Sequence, residues 1–110
     1  MPKRDPDLLV QDMLQAMRKI EIYVAGLDHT RFLRDEKTAD AVVRNLEVIG
    51  EAARQLPDDF ILRNPKVPWH QIAGLRNRIV HDYFGLDLEI IWQIIQHDLP
   101  PLIAQLQKLA

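Results

Sequence analysis

Residues 75–85 read LRNRIVHDYFG, and this stretch indicates where one helix of the chain runs and where it ends. Leu75 and Ile79 are four residues apart, the spacing that places two side chains on one face of a helix. Gly85 suits the position just after a helix end, because glycine adopts the left-handed conformation without a steric penalty. The stretch therefore predicts a helix that ends close to His81.

Apolar residues recur at three- and four-residue steps over most of the remaining chain, which is the pattern of amphipathic helices. Each run also has a start or stop signal, such as a proline at the first helical position or an aspartate that can cap the first turn. The predicted helices run from Pro6 to Leu27, through Val42 to Leu56, from Pro68 to near His81, and from the capping residue Asp87 to Leu109.

The segments between these helices are predicted to hold little regular structure. Residues 29–37 form a polar link, and residues 57–67 contain two prolines and can hold at most one turn of helix. Pro100 and Pro101 predict a kink in the last helix, because the apolar phase continues beyond them. We expect an all-α fold, a four-helix up-and-down bundle with a kinked last helix, in a single domain over residues 1–110.

Several apolar side chains lie outside the single stripe that each helix needs for its own core. Such a surplus is typical of a helical face that is buried against another molecule. A second copy of the chain is the simplest partner, so we expect a homodimer. The residues in question are Ile22, Val43, Val48, Ile90, Trp92 and Ile94.

The composition narrows the class of protein. Cysteine is absent, which excludes disulfides, thiolate nucleophiles and sulfur-ligated zinc. The chain has neither the apolar run of a signal peptide nor the roughly 18 apolar residues of a membrane span, so we expect a cytoplasmic protein with no membrane partner. The net charge of −2 disfavours a uniformly basic surface for nucleic acid but leaves room for a local basic patch.

The second helix carries a polar stripe as well as an apolar one. Asp40, Arg44, Glu47 and Glu51 follow each other at steps of four, three and four residues, on the side roughly opposite the apolar row. One interpretation is a solvated face with weak ion pairs between successive turns. The other is that Asp40, Arg44 and Glu47 form the wall of a polar cleft shared with residues 75–85.

Residues 75–85 also carry side chains that suffice for cleavage of RNA. Histidine can exchange a proton near neutral pH, and arginine can stabilise negative charge on a phosphate. RNA supplies its own nucleophile, so this chemistry requires neither a metal nor a cofactor. The spacing of Arg76 and His81 alone is weak evidence, because a chain with nine arginines and four histidines can contain it by chance. Tyr83 could also be a core residue, and Asn77 or Arg78 a helix-end cap.

The whole pattern is more specific than that spacing. With Arg76, Asn77, His81 and Tyr83, the stretch resembles R-x-x-x-x-H-x-Y, the signature of the HepT-like branch of the HEPN ribonucleases, with asparagine directly after the arginine. These proteins are the toxin halves of two-gene toxin–antitoxin modules. Three flanking segments look like the same family: RNLEVIGEAA at 44–53, VPW at 67–69 and DLPPL at 98–102.

The resemblance implies an all-helical homodimer with its active site at the dimer cleft. It implies metal-independent endoribonuclease activity that leaves a 2′,3′-cyclic phosphate and a 5′-hydroxyl. By match to the motif, Arg76 would contact the scissile phosphate, His81 would give or take a proton, and Asn77 would orient them. The implied partner is a minimal nucleotidyltransferase antitoxin of the MntA-like type, which can inactivate the toxin by transferring AMP to Tyr83.

Two other functions are compatible with the sequence. The chain could be a non-catalytic helical subunit that presents a nucleotide or another substrate to a nucleotidyltransferase. It could also be a dimerisation bundle without a site. The pairing of Arg76 with His81 favours the ribonuclease, because a subunit that only binds has no need of it.

Overall fold

The computed structural model describes residues 4–80 and 85–109. Within these ranges the chain is mostly helical. Within these ranges, no helix combines the length and the apolar character needed to cross a membrane. In chain order the elements are α1 (Pro6–Val24), α2 (His29–Arg34), α3 (Glu36–Arg54), α4 (Asp58–Arg63), α5 (Trp69–Ala73), α6 (Leu75–Ile79), α7 (Leu88–Gln93), a π-helical turn (Ile94–Asp98) and α8 (Leu99–Gln107).

The two long helices α1 and α3, of 19 residues each, pack side by side at the centre of the fold. Their apolar stripes are the ones that the sequence predicts, except that Leu27 and Leu56 lie beyond the helix ends. Burying these stripes removes apolar surface from water. The last helix contributes the other large share of the core. The fully buried side chains include Met13, Met17 and Ile20 of α1, Val42, Leu46 and Ile49 of α3, and Ile91, Ile94 and Leu106 near the C-terminus. The all-α bundle is thus confirmed.

Both predicted links contain more helix than expected. In the first, the Asp28 carboxylate accepts a hydrogen bond from the Arg31 backbone N–H and so caps α2, whose Phe32 is buried against Trp92. In the second, α4 has six residues, and its Phe60 is buried. The prediction of a polar link over 29–37 was wrong, and so was the limit of one helical turn over 57–67. A single buried aromatic residue holds each of these short helices in place.

The predicted third helix is two short helices, α5 and α6, which meet at Gly74. Pro68 precedes α5 as its capping residue and is not the first helical residue. Helix α6 ends at Ile79, slightly earlier than the predicted end near His81. Gly85 has the expected positive φ of 91° and lies beside an antiparallel bridge between Val80 and Leu86.

The last helix begins where the sequence predicts. The Asp87 carboxylate accepts a hydrogen bond from the Ile90 backbone N–H at 3.1 Å. The helix then continues through the π-helical turn into α8, where Pro100 and Pro101 lie in the first turn. The irregularity attributed to the two prolines is a wider helical turn at Ile94–Asp98, shortly before them. The prolines themselves have no N–H to donate to such a turn.

Most of the apolar surplus belongs to the chain's own core. Ile94 is fully buried, so its assignment to an intermolecular face was wrong. Val43, Val48, Ile90 and Trp92 are partly buried and pack against the core of the same chain. Ile22 alone of the six is strongly exposed, at 71%. The homodimer therefore stays a prediction.

Gly50 of α3 packs against the last turn of α5. A Cβ atom at this position would lie 3.4 Å from the Ile72 carbonyl oxygen and 3.5 Å from that of Ala73. Both oxygens belong to the last turn of α5, directly before α6 begins. The distance between α3 and α5 thus fixes the place from which α6 starts.

Replacing Gly50 tests this contact. Gly50→Ala should raise the free energy of unfolding by up to about 1 kcal/mol, because its Cβ would meet the two oxygens at ordinary van der Waals distance and alanine favours a helix over glycine. Gly50→Val should lower it by about 1–3 kcal/mol, because the added methyl groups must displace backbone. Urea denaturation of both variants is the measurement. Equal stability of the two would show that α3 and α5 are not closely packed here.

Candidate functional site

A polar groove of about 920 Å³ runs between α1 and α3 and is bordered by α6. Its walls carry charged and hydrogen-bonding side chains of both long helices. The volume lies within the range of sites that bind small molecules or short polymer segments. The polar lining residues include Asp12, Gln15, Lys19 and Tyr23 from α1, Asp40, Arg44, Glu47 and Glu51 from α3, and Arg76 from α6.

The α1 wall follows from helical periodicity. Asp12, Gln15, Lys19 and Tyr23 succeed each other at steps of three, four and four residues, so they share one face. The core side of the helix carries the buried methionines and isoleucine. The polar face can turn only toward the groove or solvent.

The α3 wall contains the three residues that the sequence assigned to a possible cleft. Asp40, Arg44 and Glu47 are exposed, and each borders the groove together with Arg76. The structure thus places the polar stripe of α3 beside the segment that contains the motif. That these three residues take part in binding stays a prediction.

Two buried residues hold α6 and determine which way its polar side chains point. Leu75 and Ile79 are in the core, at 2% and 0% exposure. Arg76 and Arg78 are about 200° apart around the helix, so they face different sides. Arg76 borders the groove, whereas an Arg78 N–H donates a hydrogen bond to the Asp98 carboxylate at 3.0 Å. Asn77 is exposed and is not among the residues that line the groove.

The motif does not lie on one continuous helix. After Ile79 the backbone of Val80 is extended, with φ of −94° and ψ of 124°. The Asp87 N–H donates to the Ile79 carbonyl oxygen at 2.8 Å, so the chain returns to the end of α6. The predicted catalytic residue His81 and the predicted modification residue Tyr83 lie outside the described residues.

The cations of the groove differ in whether a carboxylate neutralises them. The Asp12 carboxylate accepts hydrogen bonds from the Arg4 guanidinium at 2.8 and 3.0 Å, and this contact raises the pKa of Arg4. Across the described part of the chain, no carboxylate lies within ion-pair distance of Lys19, Arg44 or Arg76. These three cations are available to an anion.

No cluster of metal-ligating side chains accompanies these cations. Over 4–80 and 85–109, His, Cys, Asp and Glu side chains form no group of three or more that could hold a metal ion.

The first turn of α3 is fixed by Asp35. Its carboxylate accepts hydrogen bonds from the Thr38 backbone N–H at 3.0 Å and from the Thr38 hydroxyl at 2.7 Å. These bonds favour the ionised form, so they hold the pKa of Asp35 below its ordinary value. The cap lies five residues before Asp40, at the start of the groove wall.

One known protein family matches most of this chain. The sequence model of the family described as Ribonuclease HepT-like matches residues 13–109, a range that contains most of α1 and all of α3 and α6. The chain belongs to the HepT-like ribonuclease family. The resemblance read from the motif and its flanks is confirmed.

Relatives of this HepT-like chain match it over nearly its full length. A protein of Methanocaldococcus jannaschii with a provisional RNase name is 42% identical over 109 residues, which cover 99% of this chain and 90% of the relative. A protein of Thermococcus cleftensis, provisionally named ribonuclease HepT, is 36% identical, with 97% of each chain covered. No solved structure shows significant similarity.

The α1 wall of this HepT-like chain was missed at the sequence level. Lys19 and Tyr23 lie on the opposite side of α1 from its apolar stripe, and only the stripe was used to assign the helix. The signal was available, because polar residues at steps of four mark a face as clearly as apolar ones do. The sequence does not show which helix packs beside this face, and that neighbour makes the face a wall of the groove.

The Asp35 cap of this HepT-like chain predicts a pH-dependent stability. A carboxylate whose pKa is lower in the folded than in the unfolded state stabilises the fold above its unfolded pKa, here 3.8. That contribution is lost as the pH falls through the lower, folded pKa. Asp35→Asn keeps a cap but does not titrate, so its stability relative to wild type should rise as the pH is lowered from about 6 to about 2.5.

Urea denaturation of wild type and Asp35→Asn over this pH range is the measurement. The comparison of the two proteins cancels the titration of all other carboxylates. A stability difference that stays constant with pH would contradict the role given to the Asp35 carboxylate.

Proposed function

We propose that this HepT-like protein is a metal-independent endoribonuclease, the toxin of a toxin–antitoxin module, which cleaves RNA in the cytoplasm as a homodimer. The observation that carries the proposal is the position of Arg76. This motif arginine is exposed on a short helix whose apolar side chains are buried, and it borders the polar groove. Among the described residues, no carboxylate lies within ion-pair distance of its guanidinium. The family assignment and the RNase names of the relatives support RNA as the substrate.

Arg76 contacts the scissile phosphate in this mechanism. Its guanidinium stays charged at all relevant pH values and can donate two parallel hydrogen bonds to phosphate oxygens. Attack on phosphorus places additional negative charge on those oxygens. A cation that is already in position stabilises this charge without further reorganisation.

His81 transfers the protons. The 2′-hydroxyl of the ribose loses its proton to a base and attacks the adjacent phosphorus. The bond from phosphorus to the 5′ oxygen breaks, and this oxygen takes up a proton from an acid. His81 fills one of these two roles, and the products are a 2′,3′-cyclic phosphate and a 5′-hydroxyl. A metal is not required, since the nucleophile belongs to the RNA.

Two identical chains would bring the motif together at one cleft. A two-fold axis places Arg76 and His81 of both protomers beside a shared groove, so one protomer can supply the arginine and the other the histidine. Asn77, which is exposed next to Arg76, orients these groups. Asp40, Arg44 and Glu47 form the wall along which the RNA lies.

Tyr83 gives the partner a means of control. In the proposed inactivation, a minimal nucleotidyltransferase antitoxin presents ATP, the Tyr83 hydroxyl attacks the α-phosphorus, and pyrophosphate leaves. The attached AMP carries a phosphate and a bulky nucleoside. It would pair with Arg76 in place of the RNA backbone and exclude the substrate by charge and by volume.

The proposed cleavage is tested with labelled RNA and purified protein in EDTA. Wild type should cut, and Arg76→Ala and His81→Ala should each lose at least about a hundredfold in rate, as removal of a charge-stabilising or proton-transferring group does. Arg78→Ala is the matched control, because this arginine lies on the same helix but pairs with Asp98. It should retain activity, and the products of wild type should carry cyclic phosphate.

Two results would contradict the ribonuclease. A folded wild-type protein that leaves a broad panel of RNAs intact would favour the non-catalytic nucleotidyltransferase subunit. Equal losses in Arg76→Ala and Arg78→Ala would remove the special role of Arg76.

The proposed modification is tested by replacing the tyrosine. Tyr83→Phe should keep ribonuclease activity within about threefold of wild type, because proton transfer is assigned to His81. It should take up no AMP when incubated with the nucleotidyltransferase and ATP, as measured by intact-protein mass spectrometry. Loss of cleavage in Tyr83→Phe would instead make the tyrosine catalytic, and uptake of AMP by this variant would place the modification elsewhere.

A further inference from the structure

Tyr23 is an aromatic side chain on the wall of the groove. It lies in the last turn of α1, and it is 40% exposed. The aromatic contacts within the described residues join His29, Phe32 and Trp92 in one place and Phe60 and Trp69 in another, and none of them includes Tyr23. A partly exposed aromatic ring in a polar groove is suited to stacking against a flat, unsaturated ligand.

Lys19 provides a charge one turn away from this ring. The two residues are four apart, so their side chains lie on one face of α1, separated by about 6 Å along the helix axis. Both border the groove. Lys19 has no carboxylate at ion-pair distance within the described residues. A ring face with a cation one turn away matches the two parts of a nucleotide, a base and a phosphate.

The opposite wall restricts where phosphates can lie. Asp40 and Glu47 on α3 disfavour an anion beside them, whereas Arg44 between them and Arg76 at the edge favour one. A phosphate backbone is therefore directed to Lys19, Arg44 and Arg76, and the ring of Tyr23 offers a place for a base. The arrangement fits a flexible single strand, whose bases can turn away from the backbone.

We propose that Tyr23 and Lys19 form a nucleotide-binding subsite for single-stranded RNA, in which a base stacks on the Tyr23 ring and a neighbouring phosphate pairs with Lys19. The subsite rests on the proposed ribonuclease function and extends it along α1, away from the reacting phosphate. It acts on substrate binding and leaves the chemical step to Arg76 and His81. In the active enzyme, Tyr23→Ala should raise KM and leave kcat unchanged.

Equilibrium binding of a fluorescently labelled single-stranded RNA is the primary test. The His81→Ala protein serves as the parent, so that the RNA stays intact. Tyr23→Ala in this background should weaken binding about 5- to 100-fold, the range expected for loss of one stacked base. Tyr23→Phe, which keeps the ring, should bind within about twofold of the parent.

Three comparisons separate the subsite from general effects. Gln11→Ala is the matched control, because Gln11 is exposed on α1 and does not line the groove. Lys19→Ala should lower the slope of log Kd against log salt by about 0.7, the contribution of one phosphate contact on a single strand. Double-stranded RNA, whose bases are already stacked, should bind equally well to the parent and to Tyr23→Ala.

The outcomes distinguish this inference from the proposed function. Cleavage by wild type together with unchanged binding by Tyr23→Ala would overturn the subsite and leave the ribonuclease in place. Absence of both cleavage and RNA binding in wild type would overturn both. Equal weakening by Tyr23→Phe and Tyr23→Ala, or a changed molar mass of Tyr23→Ala in light scattering, would also overturn the subsite, since the ring face would then not be what binds RNA.

Discussion

The position of Arg76 depends on the burial of two side chains. A helix of five residues has no stability of its own in water, and α6 begins without a side-chain cap. What holds it is the core around Leu75 and Ile79, which removes both side chains from solvent. The polar residues between them can then point only outward, with Arg76 to the groove and Arg78 to Asp98. The proposed mechanism needs this rigid support, because the charge of Arg76 would act on a phosphate only from a fixed place.

The groove results from the packing of the two long amphipathic helices. Each long helix buries one stripe, so the opposite stripe is left to solvent and carries the charges. Because α1 and α3 lie next to each other, their polar faces meet along one depression, which α6 closes at its edge. Lys19, Arg44 and Arg76 come from three helices, yet they share this depression without a carboxylate partner among the described residues. The groove thus forms mainly between helices.

The proposed roles divide the groove between chemistry and recognition. Groups that stabilise charge or transfer protons must be placed within a fraction of an ångström, and the anchored α6 is suited to that. A ring that stacks on a base tolerates more freedom, and Tyr23 near the end of α1 is suited to this weaker demand. The two parts would then respond differently to substitution, one through kcat and the other through KM.

Sequence analysis was enough to predict the helices with long apolar stripes, the cap at Asp87 and the family, because these depend on local spacing and on a motif of specific residue types. It did not determine the break at Gly74, the helices over 29–34 and 58–63, or the burial of Ile94, since each depends on which partner a residue meets. The polar stripe of α3 had two interpretations for the same reason. Only the tertiary structure placed that stripe, the α1 face and Arg76 around one groove, because a periodic pattern fixes the face on which a side chain lies but not the element that the face meets.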